Sequence, residues 1–377
     1  MKVEKLLATA EGRWMSDAEP VQADFVLYFG TRDVLEDGGH FADLRERYPL
    51  AKIIGCSTGG QIVGDDVTDE ITTAVAVEFA STDVRLSVHQ IEQNDHSRAC
   101  GQSIGRDLAA PGLAGVFLIS DGLCVNGSAL TAGLVSEIGG DIPITGGLAG
   151  DGSVFEKTLV AADATPKPNI VAAVGFYGSK VKFGTGTAGG WDEFGPRRTI
   201  TRSAGNVLHE LDGQPALDLY IRYLGEEAEG LPGTALLFPL RVFNPEKPDH
   251  DIVRTVLSVD RDSKTMTFAG DVPLGWTVQL MRGRFDQLAA GAANAARQAC
   301  VGTAGDDGVA ILVSCIGRRL LMDQLVSDEI DAALAEIGGH AAVLGFYSYG
   351  EIAPHPISRL PELHNQTMTI TTITEAA

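Results

Sequence analysis

A four-part sequence unit occurs three times in the chain, and this repetition restricts the possible folds more than any other feature. Each copy contains a buried strand, a helix, a second strand that enters a glycine-rich turn, and a returning strand. The second strand and its turn read AKIIGCSTGGQI (51–62), IPITGGLAGDGS (142–153) and AAVLGFYSYGEI (341–352). The repeats predict an α/β fold with two related domains of mixed sheets and packed helices, at residues 22–205 and 206–373.

Two smaller patterns refine this prediction. IGG follows the helix in the second and third copies, and a glycine at this place is typical of a helix stop. The region between the second and third copies begins with a turn-rich junction, Trp191–Arg198. Beyond it, the pattern GQPALDLYIRYLG predicts a helix over Leu208–Leu224, with Pro215 near its start.

The glycine turns are the candidate ligand sites. Glycine at a strand end permits a positive φ and lets the backbone approach a ligand or another strand closely. A single turn of this kind is typical of a simple strand connection, but open α/β sheets also bind ligands at their strand ends. The densest polar set surrounds the third turn. We predict a pocket formed by Cys315, Arg318, Tyr347, Tyr349, Glu351, His364 and Asn365.

The chemistry of these side chains suggests roles in binding. Arg318 is expected to pair in a bidentate manner with a ligand carboxylate or propionate. Glu351 is expected to bind an amino group or to orient a partner. Tyr347 and Tyr349 would supply amphipathic walls.

A cysteine-dependent enzyme is the catalytic alternative. Cys315 and Cys56 both lie at strand ends, and a thiol near an arginine can be a nucleophile with a lowered pKa. His364 would be its base, or the partner of Glu351 in an acid–base pair. The sequence contains no GxSxG, HExxH or GxxxxGK[ST] motif, and no GxGxxG after a strand. A non-catalytic role is therefore favoured.

Charge and apolar patterning exclude several classes of partner. The formal net charge of −21 argues against binding to DNA, RNA or an anionic membrane surface, each of which requires clustered Lys and Arg. No apolar run approaches the ~18 residues of a membrane span, and the first residues lack the apolar core of a secretion signal. The five cysteines are widely spaced and odd in number. We expect a cytoplasmic protein.

The quoted motifs together resemble the FIST sensory domains, an N-terminal part followed by a C-terminal part. The resemblance rests on IIGCSTGGQI, GGLAGDG, GQPALDLYIRYLG, SCIGRR, GFYSYGEI and LHNQTM, which occur in the family's order over about residues 25–373. It implies a sensor of bacterial signal transduction that binds a small, amino-acid-like ligand and signals to a partner such as a histidine kinase. No appended signalling module is recognisable in the sequence.

One branch of the family implies a cofactor. Its members are stand-alone FIST proteins of similar size that bind haem, sense nitric oxide and regulate a histidine kinase. Noncovalent haem b requires one axial side chain and an apolar pocket, so the lack of paired histidines leaves it open. The candidate ligands are His209, His250 and His364.

Overall fold

Three mixed β-sheets with helices on their outer faces form the main body of the protein, and this confirms the α/β class. The computed structural model describes residues 1–9, 12–16, 18–247, 251–302 and 307–376. The helices are α1 (Arg32–Leu35), α2 (Gly39–Arg47), α3 (Ser97–Leu108), α4 (Gly127–Ile138), α5 (Ala216–Leu224), α6 (Phe285–Ala299), α7 (Ile316–Met322) and α8 (Ser327–Ile337).

The strands fall into the three repeat units and a region inserted between the second and third units. The strands of the first two units are β1 (Lys2–Thr9), β2 (Phe25–Gly30), β3 (Lys52–Ser57), β4 (Gln61–Val63), β5 (Asp66–Thr68), β6 (Ile71–Glu78), β7 (Asp83–Gln90), β8 (Leu113–Ser120), β9 (Ile144–Leu148), β10 (Val160–Ala162) and β11 (Ile170–Tyr177). The rest are β12 (Val181–Ala188), β13 (Trp191–Ala204), β14 (Val207–Leu211), β15 (Gln214–Pro215), β16 (Leu240–Phe243), β17 (Asp251–Arg254), β18 (Val256–Asp260), β19 (Thr265–Phe268), β20 (Thr277–Gly283), β21 (Gly308–Cys315), β22 (Ala341–Ser348), β23 (Gly350–Pro354), β24 (Pro361–His364) and β25 (Met368–Glu375).

The repeat predicted from the sequence is present in all three sheets. Each sheet contains a parallel pair, β2 with β3, β8 with β9, and β21 with β22. On the outer side of each pair lie two antiparallel strands, β6 and β1, β11 and β7, or β25 and β12. A helix joins the strands of each parallel pair, as a parallel connection requires.

The strand after each glycine turn joins the sheet of another unit. β4 of the first unit pairs with β22 of the third, β10 of the second pairs with β3 of the first, and β23 of the third pairs with β9 of the second. Three backbone hydrogen bonds repeat this cyclic order at the turns. Gly59 N–H donates to Tyr347 O, Gly150 N–H to Ser57 O, and Tyr349 N–H to Leu148 O, at 2.7–3.1 Å. The turns thus form a pseudo-threefold ring, called the turn ring below.

A hydrophobic core lies between the inner faces of the three sheets. Its large side chains include Phe29 and Phe346, whose ring centroids are 4.5 Å apart, and Phe117 from the second unit. On the outer side, α3 and α4 cover the second sheet, while α6 and α8 cover the third. The residues after the IGG helices have positive φ, 88° at Gly139 and 76° at Gly338, so both glycines stop their helices as predicted.

The region between β12 and α6 forms an inserted module with its own sheet and core. Its sheet contains β13–β20, and α5 packs on it with Leu217 and Tyr220 buried. The helix predicted over Leu208–Leu224 is only partly correct, because Leu208 and Leu211 lie in β14 and face the module's core. Helix α5 begins after Pro215, which cannot donate to a preceding turn. The predicted domain boundary at 205/206 falls in the turn between β13 and β14 and stays a prediction.

Candidate functional site

An open cleft of about 680 Å³ lies beside the turn ring, where parts of all three units meet. It is lined by the first and second glycine turns, the segments that follow β2 and β21, and the residues around β5. The charged side chains in its lining are Arg32, Asp33, Asp69, Asp151, Arg319 and Asp323. The cleft therefore combines both signs of charge at the strand ends.

Arg319 extends from α7 across the cleft to the first unit. Its Nη1 and Nη2 atoms donate to the two carboxylate oxygens of Asp69, each at 2.8 Å, and Nη1 also donates to Gly59 O. A Cβ at Gly60, where φ is 130°, would lie 2.2 Å from Arg319 Nη1, so this approach requires glycine. About half of the Asp69 side chain is exposed, and a ligand anion can therefore compete with it for the guanidinium.

Arg32 lies after β2, close to three acidic side chains. Its Nε atom donates to Asp33 at 3.0 Å, and its Nη1 lies 3.5 Å from Asp151 and 3.7 Å from Glu156. Asp151 is buried, which opposes its ionisation, but backbone N–H groups led by that of Lys157, together with the Tyr349 hydroxyl, lower the pKa of this carboxyl. Asp151 therefore carries a fixed negative charge on the cleft wall.

Arg318, next to Arg319 on α7, points into the protein instead of the cleft. Its Nε and Nη2 atoms donate to Glu329 Oε2 at 2.9 and 2.6 Å, and the remaining donors bind the carbonyls of Gly189 and Leu288. Glu329 Oε1 also accepts hydrogen bonds from Tyr347 and from a serine of β21. All three charged or phenolic side chains are fully buried. Glu329 thus occupies the place that the sequence analysis gave to a ligand carboxylate.

Tyr349, which lies between β22 and β23, and Glu351, which lies in β23, are also buried. The Tyr349 hydroxyl donates to Asp151, and its ring stacks on Phe155 with centroids 4.4 Å apart. Glu351 accepts hydrogen bonds from Ser348 Oγ at 2.7 Å and from Thr367 N–H and Oγ1 at 3.1 and 3.0 Å. Burial raises the pKa of Glu351 to about 8 despite these donors. Its carboxyl is therefore largely protonated at neutral pH.

Cys315 and Asn365, two further residues of the predicted pocket, are buried as well. The Cys315 thiol has a pKa raised well above its ordinary value, first by burial and then by the nearby Glu351, and burial has the same effect on Cys56. A raised thiol pKa disfavours the thiolate form, so neither cysteine is suited to act as a nucleophile. Asn365 Oδ1 accepts a hydrogen bond from Thr255 N–H at 3.4 Å, which links the third unit to the inserted module.

His364 lies opposite Glu351 in the β23–β24 pairing, but the two side chains use other partners. Its Nε2 is 3.0 Å from Ala353 O, a geometry in which a neutral ring donates this hydrogen bond. Burial lowers the pKa of His364 to about 4, against the opposing effect of Glu362. The nearby His355, whose ring centroid is 6.2 Å away, and Arg254 also lower it.

This neutral histidine predicts acid destabilisation. The folded-state pKa of His364 lies below the unfolded value of about 6.5, so its contribution to stability is complete above pH 6.5 and is lost as pH falls towards 4. Linkage gives a loss of about 3 kcal/mol near pH 4. Urea unfolding of the wild type and of His364→Gln at pH 7 and pH 4.5 isolates this contribution, because groups present in both proteins, Glu351 included, cancel in the comparison. The wild type should lose stability relative to the variant as pH falls, and an equal change in both proteins would assign the effect to other groups.

The haem candidates have different environments. His364 is buried with Nε2 engaged, His209 is partly exposed on β14, and His250 lies outside the described residues. Within the described ranges, no three His, Cys, Asp or Glu side chains are grouped to hold a metal ion, and no helix is long and apolar enough to cross a membrane. Haem binding stays a prediction.

Four cleft residues were not predicted from the sequence: Arg32, Asp69, Asp151 and Arg319. Three of them had a usable signal. Arg32 directly follows the first buried strand in GTRD, just as Arg319 follows the third in SCIGRR, and Asp151 belongs to the glycine turn GGLAGDG. Asp69 offered none, because it reaches Arg319 only through the pairing of β4 with another unit.

The comparisons with known proteins agree with this architecture. The FIST N domain family matches residues 24–214, and the FIST C domain family matches residues 216–354. The chain belongs to the FIST family. FIST domains are associated with sensory signal transduction, so the turn ring and its cleft belong to a sensory protein.

A curated relative matches part of this FIST protein. It is an uncharacterized protein, MJ1623, of Methanocaldococcus jannaschii, 25% identical over 195 residues. The match covers 49% of this chain and 38% of the relative, so the chain spans well under two thirds of that protein's length.

Proposed function

We propose that this FIST protein is a sensory input module that binds a small zwitterionic, amino-acid-like ligand in the cleft beside the turn ring. The observation that carries the proposal is the pairing of Arg319 with a half-exposed Asp69 in an open cleft at the strand ends. A ligand carboxylate would replace Asp69 on the guanidinium fork. The proposal moves the carboxylate-binding role from Arg318 to Arg319.

The other charges of the cleft complement the second end of such a ligand. Asp33 and Asp151 surround Arg32, and Asp151 keeps its negative charge for the reasons given above. An ammonium group placed near these carboxylates would be favoured, while a simple anion would gain only the Arg319 contact. The mixture of charges therefore favours an amino acid over a phosphate or a plain carboxylate.

The same contact offers a route for the signal. Asp69 follows β5, the outermost strand of the third sheet, and belongs to the first unit, while Arg319 belongs to the third. Replacing Asp69 by a ligand would free the β4–β5 hairpin from α7 and shift the balance between two arrangements of the hairpin. A cytoplasmic partner such as a histidine kinase would read this difference.

A thermal-shift screen of amino acids and small carboxylates tests the proposal. Arg319→Met should lower the affinity for the amino acid with the largest thermal shift at least about tenfold, because a charged hydrogen-bond partner is lost. Asp69→Asn should raise this affinity, because the competing carboxylate is removed. Arg297→Met is the matched control, since it breaks a similar surface pair with Glu336 away from the cleft. An amino acid whose affinity is the same in all four proteins would place its site elsewhere.

The absorption spectrum of the same protein, before and after addition of haemin, separates the haem alternative. A sharp Soret band that shifts with nitric oxide and is lost in His209→Ala, His250→Ala or His364→Ala would favour the haem-based sensor. A spectrum that shows only free haemin would argue against haem binding and favour the amino-acid sensor. No geometric feature of the described residues specifically favours haem, and the cysteine-dependent enzyme is disfavoured by the raised pKa values of its thiols.

A further inference from the structure

A second open space, called the crevice here, lies where the first and third sheets separate, and it is distinct from the cleft. It consists of two adjoining cavities of about 840 and 200 Å³ that share Lys5, Leu7 and Ala342 in their linings. The smaller cavity is its apolar end. Besides the shared residues, it is lined mainly by Val63, Val75, Val343 and Leu344, with Gly64, Thr73 and Ala74.

Lys5 is the unusual residue of the crevice. Its side chain is exposed, and it alternates along β1 with the buried Glu4 and Leu6. It lies on the same side of the strand as Val3, which packs against the core between the three sheets. Lys2, at the wider end, is paired with Glu78 at 2.8 Å. In the part of the chain that the structure describes, no carboxylate lies within ion-pair distance of the Lys5 ammonium. Among the described residues, Lys5 is thus a cation without a carboxylate partner beside an apolar space, in a protein of net charge −21.

The pseudo-threefold repeat supplies an internal comparison. The pairing registers place Lys5 of β1, Leu86 of β7 and Thr185 of β12 at equivalent points of the three sheets. Leu86 packs against the central core. Near Thr185, the ring of Phe183 on β12 packs against Gly115 on β8 and fills the space between the third and second sheets. A Cβ at Gly115 would lie 2.6 Å from this ring. Among the described residues, the lysine therefore occurs at this point of the first unit alone, while Leu86 and Phe183 pack at the corresponding places of the other two units.

We propose that the crevice binds an amphipathic organic anion, a carboxylate with an apolar chain. The ammonium of Lys5 would pair with the carboxylate, and the chain would enter the apolar end between Leu7 and Val343. At roughly 30 Å³ per methylene, a volume close to that of a water molecule, the apolar end holds on the order of six or seven carbons. An added peptide strand fits less well, because Met15 already occupies the edge of β1 through two 2.9 Å hydrogen bonds with Leu7.

Calorimetric titration with sodium octanoate tests the proposal. The wild type should show saturable binding, and hexanoate should bind more weakly by about fourfold per methylene removed. Lys5→Met should lower the affinity for octanoate at least about tenfold and should change the affinity for octan-1-ol little. Ala342→Phe should block both ligands by filling the crevice. Lys167→Met, which removes an exposed lysine elsewhere, should behave as the wild type does.

The controls separate the crevice from the cleft and from self-association. Arg319→Met should leave octanoate binding unchanged, whereas an octanoate site lost in this variant would lie in the cleft and overturn the proposal. Lack of saturable binding, or equal octanoate affinity in Lys5→Met, would overturn it as well. Sedimentation should show one species with and without octanoate. A dimer that Lys5→Met or Ala342→Phe dissociates would identify a second copy as the occupant and also contradict the proposal.

Discussion

Arg318→Met is expected to destabilise the protein by about 3–5 kcal/mol, the range observed when one partner of a buried ion pair is removed. Arg318 and Glu329 are both fully buried, and methionine would leave the Glu329 carboxylate without its cation. The carbonyls of Gly189 and Leu288 would lose their donors at the same time. Denaturant unfolding at pH 7 measures the change.

Two further variants show whether buried charge is the cause. Adding Glu329→Gln to Arg318→Met removes the unpaired charge while keeping an acceptor for Tyr347, so the double variant should recover at least half of the lost stability. Arg319→Met changes the adjacent residue in a partly exposed pair and should cost less than about 1 kcal/mol. Equal losses in Arg318→Met and Arg319→Met would contradict the structural role of Arg318.

Glu351→Gln is expected to stabilise the protein at high pH. The folded-state pKa of Glu351 is about 8 and its ordinary value is 4.5, so the folded state holds this proton more tightly. Its contribution to stability is complete below pH 4.5 and is lost as pH rises through 8. Linkage gives a difference of about 4–5 kcal/mol between these limits. Unfolding free energies at pH 5 and pH 9 measure it.

The variant should lose this pH dependence because glutamine cannot titrate. Glutamine can keep the contacts with Ser348 and Thr367, so the two proteins should differ little at pH 5, and the variant should be clearly more stable at pH 9. Glu46→Gln, which removes an exposed glutamate of α2 away from this region, is the control. The difference in unfolding free energy between the wild type and Glu351→Gln should change between pH 5 and pH 9. If this difference is the same at both pH values, folding does not raise the pKa of Glu351 and the prediction is wrong.

The sequence was sufficient for the local elements of the fold but not for their assembly. Strand–helix–strand units and IGG helix stops follow from local periodicity and from positive φ at Gly139 and Gly338. The exchange of β4, β10 and β23 between units was not predictable, because pairing partners far apart in sequence leave no local signal. Leu208 and Leu211 illustrate a further limit, since a short apolar run fits a strand or a helix equally well.

The glycine turns at the strand ends predicted where the candidate site lies, but not which side chains point into it. Arg318 and Arg319 are neighbours on α7, and successive helical residues point about 100° apart, so one is buried and the other reaches the cleft. Their sequence context is the same. Only the packing of α7 against the turn ring distinguishes them, and that packing depends on all three units. Whether the predicted residues around the third turn take part in binding stays a prediction.

Hydrogen exchange followed by mass spectrometry, with and without the best amino acid from the screen, tests the central claim most directly. A ligand in the cleft should increase protection in peptides that cover residues 58–60, 150–154 and 316–326. Peptides around residues 66–70 should exchange faster if Asp69 is released from Arg319. Protection confined to the inserted module, with no change around the turn ring, would contradict the assignment of the cleft as the ligand site.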